Sequence, residues 1–227
     1  MSNILANPAV IISGLFTIVA GGYAYVYLPL VMRKAYRQGL LTLARAVETK
    51  DTGAEGHGER VAAYVIQVAK ELRVPARERR RMEYAAFLQD IGNVRVPHRI
   101  LNKAQALTEE EFEILKGHTL VGAEMVEQVK FLRDVAPIIR HHHERWNGSG
   151  YPDGLKGKEI PLGSRILAVC TAYDSMLRTR AYRPGMDDES AIRELRAGAG
   201  TVYDPDVVKA FLKVLKKRTK WERTVDH

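Results

Sequence analysis

Cysteine is nearly absent from this sequence, since Cys170 stands alone among 227 residues. A single cysteine excludes an internal disulfide and favours a reducing compartment. It follows the apolar run Ile-Leu-Ala-Val at residues 166–169, where a packed and inert thiol is expected. Alternation of apolar and polar residues with a period of two is also missing after Thr52. The sequence therefore predicts an all-α fold that no disulfide stabilises.

Charge is absent from the first 32 residues. Within them, residues 9–32 form an apolar run that exceeds the roughly 20 residues needed to span a bilayer. The basic start of a signal peptide is missing, and Arg33, Lys34 and Arg37 follow the run. Three tyrosines collect near its end, as in an interfacial aromatic belt: Tyr23, Tyr25 and Tyr27. We predict a single-pass anchor over residues 1–32 in the inner membrane, with the following domain in the cytoplasm. The alternative is a buried core helix.

The rest of the chain is basic, with 35 Lys and Arg against 27 Asp and Glu and a net charge of +8. This balance favours anionic partners such as phosphates, nucleotides or acidic lipid. One basic run lies at residues 77–81, and another lies at residues 213–220 and overlaps a predicted basic C-terminal tail over residues 214–227. Each is interpreted as a solvated face, or else as a surface attracted to anionic lipid. Few aromatic residues interleave with these charges, so no nucleic-acid partner is expected.

Residues 33–50 are predicted to form a juxtamembrane helix between the anchor and a domain over residues 51–213. Four apolar residues in this helix repeat at 4-3-4 spacing: Tyr36, Leu40, Leu43 and Val47. Such a stripe could pair two chains into a homodimer, or it could pack on the domain.

Helical signals predominate within the domain. One helix should follow residues 56–58, and another should run from Pro75 to Asp90. The apolar face of the first carries Val61, Val65 and Val68. Thr108 and Glu111 form a capping box that begins a third helix. Later helices are predicted over residues 120–128, 135–142, 162–177, 187–196 and 205–217.

Three of the seven histidines stand together at His141, His142 and His143. Neutral imidazoles are common ligands of transition metals, although a solvated histidine patch at a helix end is the simpler interpretation. The following Asn-Gly-Ser-Gly at residues 147–150 predicts a tight turn, and Tyr-Pro at 151–152 fixes the exit of the chain. A ligand cluster that ends a helix beside a rigid loop favours a metal site.

Three further residues could join this cluster: His57, Asp90 and His118. His57 opens a helix after a glycine, and Asp90 ends another helix before Ile-Gly. Each residue alone is more typical of a surface or cap. Together they repeat one arrangement, in which a metal-ligand side chain lies where a helix meets a loop.

These motifs resemble the HD-GYP domains in order and spacing. The matching segments are 56–61 (GHGERV), 90–92 (DIG), 100–103 (ILNK), 115–118 (LKGH) and 141–154 (HHHERWNGSGYPDG). The resemblance continues through 172–174 (AYD) and 180–183 (RAYR), and it covers residues 40–213. The block from His142 to Gly154 is highly specific, and it contains the motif Gly150, Tyr151, Pro152.

The resemblance implies a bundle of about seven helices around a site for two or three metals, with hydrolysis of cyclic di-GMP as the activity of the family. His57 would be the first ligand, and Asp90 would be the bridging and catalytic carboxylate. The imidazoles of the second metal would be His118, His142 and His143. Arg180 and Arg183 match positions that hold the phosphates of the substrate, a role that suits guanidinium groups.

Three positions depart from the family pattern: Gln89, Asn93 and Thr171. Gln89 stands where the family has the His of its His-Asp pair, and Thr171 stands where it has a ligand aspartate. Asn93 replaces a lysine that meets phosphate. The first metal would lose one imidazole and one carboxylate, whereas Asp90, His118, His142 and His143 still suffice for one ion of iron, manganese or zinc.

We therefore predict a membrane-tethered, degenerate member of the family that binds cyclic di-GMP or a related dinucleotide without cleaving it. The main alternative is a working phosphodiesterase with an altered metal site, in which Thr171, a water, Glu55 or Asp174 supplies a missing ligand. A purely structural role is the third interpretation.

Overall fold

The computed structural model describes residues 8–51, 55–179 and 184–225, the last eight of these by their backbone alone. Arg180 and Arg183, the predicted phosphate-binding arginines, lie outside the described residues. The chain divides into two compact units, Met1–Leu40 and Leu41–His227.

The N-terminal unit is helical. Helix α1 (Pro8–Gly22) leads into a π-helical turn (Tyr23–Tyr27) and then into α2 (Leu28–Glu48), whose last residues belong to the second unit. No residue of α1 is buried, and Phe16 and Ile18 are each 73% exposed. The run Pro8–Glu48 is long and apolar enough to cross a membrane by length and composition. The apolar helix predicted near the N-terminus is therefore present.

The second unit is a bundle of α-helices linked by short turns. Its helices are α3 (His57–Glu71), α4 (Ala76–Leu88), α5 (His98–Leu101), α6 (Glu109–Lys116), α7 (His118–Glu127), α8 (Ala136–Arg140), α9 (Leu162–Leu177), α10 (Asp188–Ala197) and α11 (Pro205–Val225). Turns of 3-10 helix lie at Ile91–Arg95, Arg133–Val135 and Gly157–Glu159. The described part of the chain contains no strand, which confirms the all-α prediction.

The core lies between α3, α4, α9 and α11. The three valines of α3 are fully buried, as their spacing predicts: Val61, Val65 and Val68. Full burial of one such side chain contributes about 1.5–3 kcal/mol. The rings of Tyr64, Tyr173 and Phe211 contact one another at centroid distances of 4.9–5.6 Å and join α3, α9 and α11. Along α2, Leu41, Ala44 and Val47 are buried, so Val47 packs in the domain.

Local chemistry explains where several helices begin. The predicted capping box is formed, because Thr108 accepts a bond from the Glu111 amide and Glu111 accepts one from the Thr108 amide. The N-terminus of helix α3 is capped by a side chain from the end of α2. Its cap residue Gly56 has φ +67°, and the Glu48 carboxylate accepts bonds from the amides of Gly56 (2.8 Å) and Gly58 (2.7 Å).

Two residues after the end of α2, Lys50 makes further contacts within the domain. Lys50 donates to three backbone carbonyls in and after the Ile91–Arg95 turn: Asn93 (2.9 Å), Val94 (2.9 Å) and Val96 (2.6 Å). Its own carbonyl accepts a bond from the Asn102 side chain at 2.8 Å. Residues 48–50 thus contact both the start of α3 and the turn after α4.

Two predicted helices end earlier than their patterns indicate. Helix α4 ends at Leu88, and the 3-10 turn that follows contains Gly92. Helix α8 ends at Arg140, since His141 leaves helical geometry with φ −106° and ψ 15°. Both ends place predicted ligands beyond regular helix: Asp90 after α4, and His142 and His143 after α8.

Close packing at Gly92 predicts a large loss of stability for Gly92→Ala. A methyl group there would lie 2.0 Å from the His118 carbonyl oxygen and 2.8 Å from the Gly122 amide. Overpacking of this kind costs about 1–3 kcal/mol or more. Urea denaturation of the domain should show the loss. Gly39→Ala adds the same methyl with nothing within 4 Å, and we expect it to leave domain stability unchanged. Equal midpoints for the two variants would contradict the close approach.

Candidate metal centre

Three imidazoles meet where α7 and α8 pack together. Ligand atoms of His118, His142 and His143 lie within 4.8 Å of one another. His118 is the first residue of α7, whereas the other two follow the end of α8. Ring centroids lie 4.1 Å apart for the adjacent pair, and 5.4 and 5.2 Å from His118. Two of the rings are buried and one is partly buried.

Hydrogen bonds fix the tautomers of two of these rings. Nδ1 of His118 donates to the Leu115 carbonyl and Nδ1 of His142 donates to the Ile139 carbonyl, both at 2.6 Å. In the neutral form of each ring, Nε2 is then the unprotonated nitrogen, as metal ligation requires. Nε2 of His118 is buried and has no hydrogen-bond partner among the described residues.

The electrostatics of the cluster favour the neutral form of two of its rings, His142 and His143. Burial, followed by the neighbouring His118, lowers the pKa of His142 to about 3. Burial and the two adjacent imidazoles likewise hold the pKa of His143 well below its usual value. Three clustered imidazoles with an unpartnered nitrogen among them fit a divalent transition metal.

Asp90 lies at the edge of this cluster. Its Oδ1 is 4.0 Å from Nε2 of His118 and 3.4 Å from Nδ2 of Asn93. Asn93 carries no charge, and its Oδ1 is buried without a partner in the described chain. Asp90 can therefore complete a set of three nitrogens and one oxygen around a single ion.

Gln89 and Thr171, which stand where the family has ligands of the first metal, do not form a ligand cluster like that of the three imidazoles. Gln89 is 1% exposed, and its Oε1 accepts a hydrogen bond from the Thr171 hydroxyl at 2.8 Å. The two residues that replace expected ligands are thus bonded to each other. Nε2 of Gln89 is buried and has no hydrogen-bond partner in the part of the chain that the structure describes.

His57 belongs to a separate buried network. Its Nδ1 lies 2.8 Å from Oδ2 of Asp174. The same carboxylate accepts hydrogen bonds from Arg60, from Nε to Oδ1 at 2.8 Å and from Nη2 to Oδ2 at 3.0 Å. Burial raises the pKa of Asp174, but these hydrogen bonds outweigh it and bring the value to about 2. His57 is therefore tied to an ionised carboxylate and does not belong to the three-imidazole group. Sequence reasoning missed Arg60, although it stands in the matched segment 56–61.

A cavity of about 610 Å³ opens beside the cluster. Its wall includes Asp90, Asn93, His118 and His143, together with residues 100–107 and Tyr151. The Tyr151 ring stacks on His143, with centroids 4.9 Å apart and planes at 25°. A volume of this size lies within the usual range for small-molecule sites.

The loop that carries Tyr151 approaches the backbone of the preceding turn. A Cβ at Gly150 would lie 2.3 Å from the Arg145 amide nitrogen and 2.5 Å from Cα of Glu144, so only glycine fits. The Tyr151–Pro152 peptide bond is cis. This loop places the aromatic ring against the candidate metal cluster.

Comparisons with known proteins agree with this geometry. Residues 42–207 match a family model described as an HD domain. The chain is 41% identical over 174 residues to a cyclic di-GMP phosphodiesterase of Thermotoga maritima, with 76% of this chain and 47% of the relative covered. It is 32% identical over 183 residues to a 3'3'-cGAMP-specific phosphodiesterase of Vibrio cholerae, with 80% of this chain and 35% of the relative covered.

Two solved structures share the fold. A cyclic GMP-AMP-specific phosphodiesterase of Vibrio cholerae has a TM-score of 0.64 at 20% identity, with 79% of this chain and 48% of that one covered. An HDG"Y"P protein of Bdellovibrio bacteriovorus has a TM-score of 0.57 at 23% identity, with 70% and 51% covered. The chain spans about half the length of the curated relatives it matches. It belongs to the HD domain family, and within that family to the HD-GYP proteins.

Proposed function

We propose that this protein is a membrane-anchored, degenerate HD-GYP domain that binds cyclic di-GMP or a related cyclic dinucleotide without hydrolysing it. The observation that carries the proposal is the hydrogen bond between Gln89 and Thr171. A neutral amide and a hydroxyl that satisfy each other offer no negative charge to a second metal ion. The pair of ions that hydrolysis of this class uses would then be reduced to one.

One divalent ion of iron, manganese or zinc would be held by Asp90, His118, His142 and His143. When bound, it would supply positive charge to a phosphate in the adjacent cavity. Tyr151 offers an aromatic face there, and the same wall includes Lys103, which pairs with Glu111 at 2.5 Å. We assign further phosphate contacts to Arg180 and Arg183. The relatives named for cyclic di-GMP and cGAMP support the ligand class.

An active phosphodiesterase is the second candidate function. It is favoured by the intact three-imidazole cluster and by the cavity beside it. Detergent-solubilised full-length protein, incubated with cyclic di-GMP and Mn²⁺ or Fe²⁺ and followed by product separation, distinguishes the two. Binding without products supports the leading proposal. Turnover that His118→Ala abolishes would establish the enzyme instead.

The membrane anchor is a proposal of its own, with residues 1–32 as anchor, 33–50 as juxtamembrane helix, 51–213 as HD-GYP domain and 214–227 as basic tail. Its support is the exposed apolar surface of α1 and the charges that begin at Arg33. Tyr36 and Leu43 are exposed on α2 and would contribute to a homodimer.

We expect the full chain to behave as a single-pass protein of the inner membrane. A reporter fused after His227 should show cytoplasmic activity, and extraction should require detergent, because about 20 apolar residues inserted in lipid are not displaced by salt. A chain that begins at Arg33 is the matched control and should be recovered without detergent. Release of the full chain by carbonate or high salt would refute the span.

A further inference from the structure

A second group of metal-ligand side chains lies next to the central cluster, on the turn between α8 and the Tyr151 loop. His141, Glu144 and Asp153 offer ligand atoms that lie within 4.8 Å of one another. Nδ1 of His141 is 3.7 Å from Oε1 of Glu144 and 3.5 Å from Oδ2 of Asp153. Two ligands bonded to one zinc ion at about 2.1 Å with tetrahedral angles lie about 3.4 Å apart. These spacings are too long for hydrogen bonds and suit ligands of one ion.

Two atoms in this group are buried and unpartnered. The Glu144 side chain is 0% exposed, and its Oε2 has no hydrogen-bond partner within the described ranges. Nδ1 of His141 is also buried and unpartnered, on a side chain that is 12% exposed. A buried carboxylate of this kind is costly unless a cation or further donors compensate it. Among the described residues, the Glu144 carboxylate accepts a hydrogen bond from the Asp153 amide alone, at 2.8 Å to Oε1.

The third ligand is already oriented. Nε and Nη2 of Arg140 each donate to one oxygen of Asp153 at 2.8 Å, which fixes the carboxylate plane. Carboxylates that bind metals commonly accept such outer hydrogen bonds as well. Asp153 is 36% exposed, so the group is open to an ion and to water on one side.

We propose that His141, Glu144 and Asp153 bind a divalent transition metal of the zinc class at a site distinct from the central cluster. Two carboxylates, one imidazole and a water would complete four-coordination. The ion would tie the end of α8 to the residue that follows Tyr151 and Pro152. It would thereby hold the loop whose aromatic ring stacks on His143. The proposal does not depend on whether the central site binds or cleaves a dinucleotide.

The test uses the full chain, with Zn²⁺ alone as the probe and elemental analysis after dialysis as the readout. His118→Ala removes a central ligand, and this variant should still bind one zinc ion per chain. His118→Ala with His141→Ala should bind none, and His118→Ala with Asp153→Ala should bind none either. Glu189→Ala is the matched control, because it removes a carboxylate that is 89% exposed on α10. Added to His118→Ala, it should leave the stoichiometry at one.

A second measurement omits the His118→Ala substitution, so that its result does not depend on whether that variant folds. His141→Ala alone should bind one zinc ion fewer than the unmodified chain, and the rise in Tm on adding zinc should shrink. Binding of no zinc by a folded His118→Ala chain would overturn the proposal, because the group would then hold no ion. One ion retained by both double variants would overturn it as well, because the ion would lie elsewhere.

Discussion

Gln89→His combined with Thr171→Asp is expected to add one bound metal ion per chain relative to the unmodified protein. The two substitutions replace an amide and a hydroxyl, which are hydrogen-bonded to each other at 2.8 Å, with one imidazole and one carboxylate. Gln89 is next to Asp90 in the sequence, and Thr171 lies on the facing helix α9. The two restored ligands would therefore share the Asp90 carboxylate. Elemental analysis of the unmodified and doubly substituted chains, prepared in the same manganese buffer, measures the difference.

Hydrolysis should return with a third change, Asn93→Lys, which restores a positive charge at the phosphate position. Unmodified protein should leave cyclic di-GMP uncleaved. The triple variant should cleave it at least about 100-fold above background, the scale on which one charge-stabilising group contributes. Each single reversion should do little, because groups that act as a unit are not additive. The idea fails if unmodified protein turns over cyclic di-GMP at a rate that His142→Ala abolishes.

The second large effect is expected from His142→Ala. This change removes a buried imidazole from the three-ring cluster, and the affinity of the central site for its ion should fall by more than about 100-fold. Even the loss of a residue that only hydrogen-bonds to a metal ligand commonly lowers metal affinity by about 10–100-fold. Competition with a zinc chelator measures the affinity, and the additional His141→Ala substitution removes any contribution from the neighbouring group.

His57→Ala is the matched control for this experiment. His57 is equally buried, but its Nδ1 is engaged by Asp174 at 2.8 Å. We expect its loss to change metal affinity by less than about tenfold, while the free energy of unfolding falls because the buried Asp174 loses a partner. Equal losses of metal affinity from His57→Ala and His142→Ala would mean that the central site includes both residues.

Much of the fold could be predicted from local sequence signals. The period of the valines in α3 identified a buried face, and Thr108 with Glu111 identified the start of α6, because both depend on residues a few positions apart. The triple histidine was evident for the same reason. The burial of His142 was not, because it depends on α7 packing against Ile139 of α8 at Gly122 and against the turn after α4 at Gly92.

The least predictable features join residues that are distant in sequence. Thr171 and Gln89 are separated by 82 positions, and Asp174 and Arg60 by 114. Sequence reasoning identified Gln89 and Thr171 as two separate losses, and no local pattern indicates that they are hydrogen-bonded to each other. It also treated Asp174 as a spare carboxylate, whereas the structure shows that Arg60 and His57 already engage it.

The contacts of residues 48–50 have a mechanical consequence. Glu48 holds the first amides of α3, which carries His57, and Lys50 holds the carbonyls of the turn after Asp90. Glu48 ends α2 and Lys50 follows two residues later, so a rotation of this segment by about 100°, the angle per residue of a helix, cannot keep both sets of bonds. Rotation of this segment would therefore change the spacing between the start of α3 and the turn that follows Asp90. The end of α2 thus couples the position of His57, at the start of α3, to the position of the turn that follows Asp90.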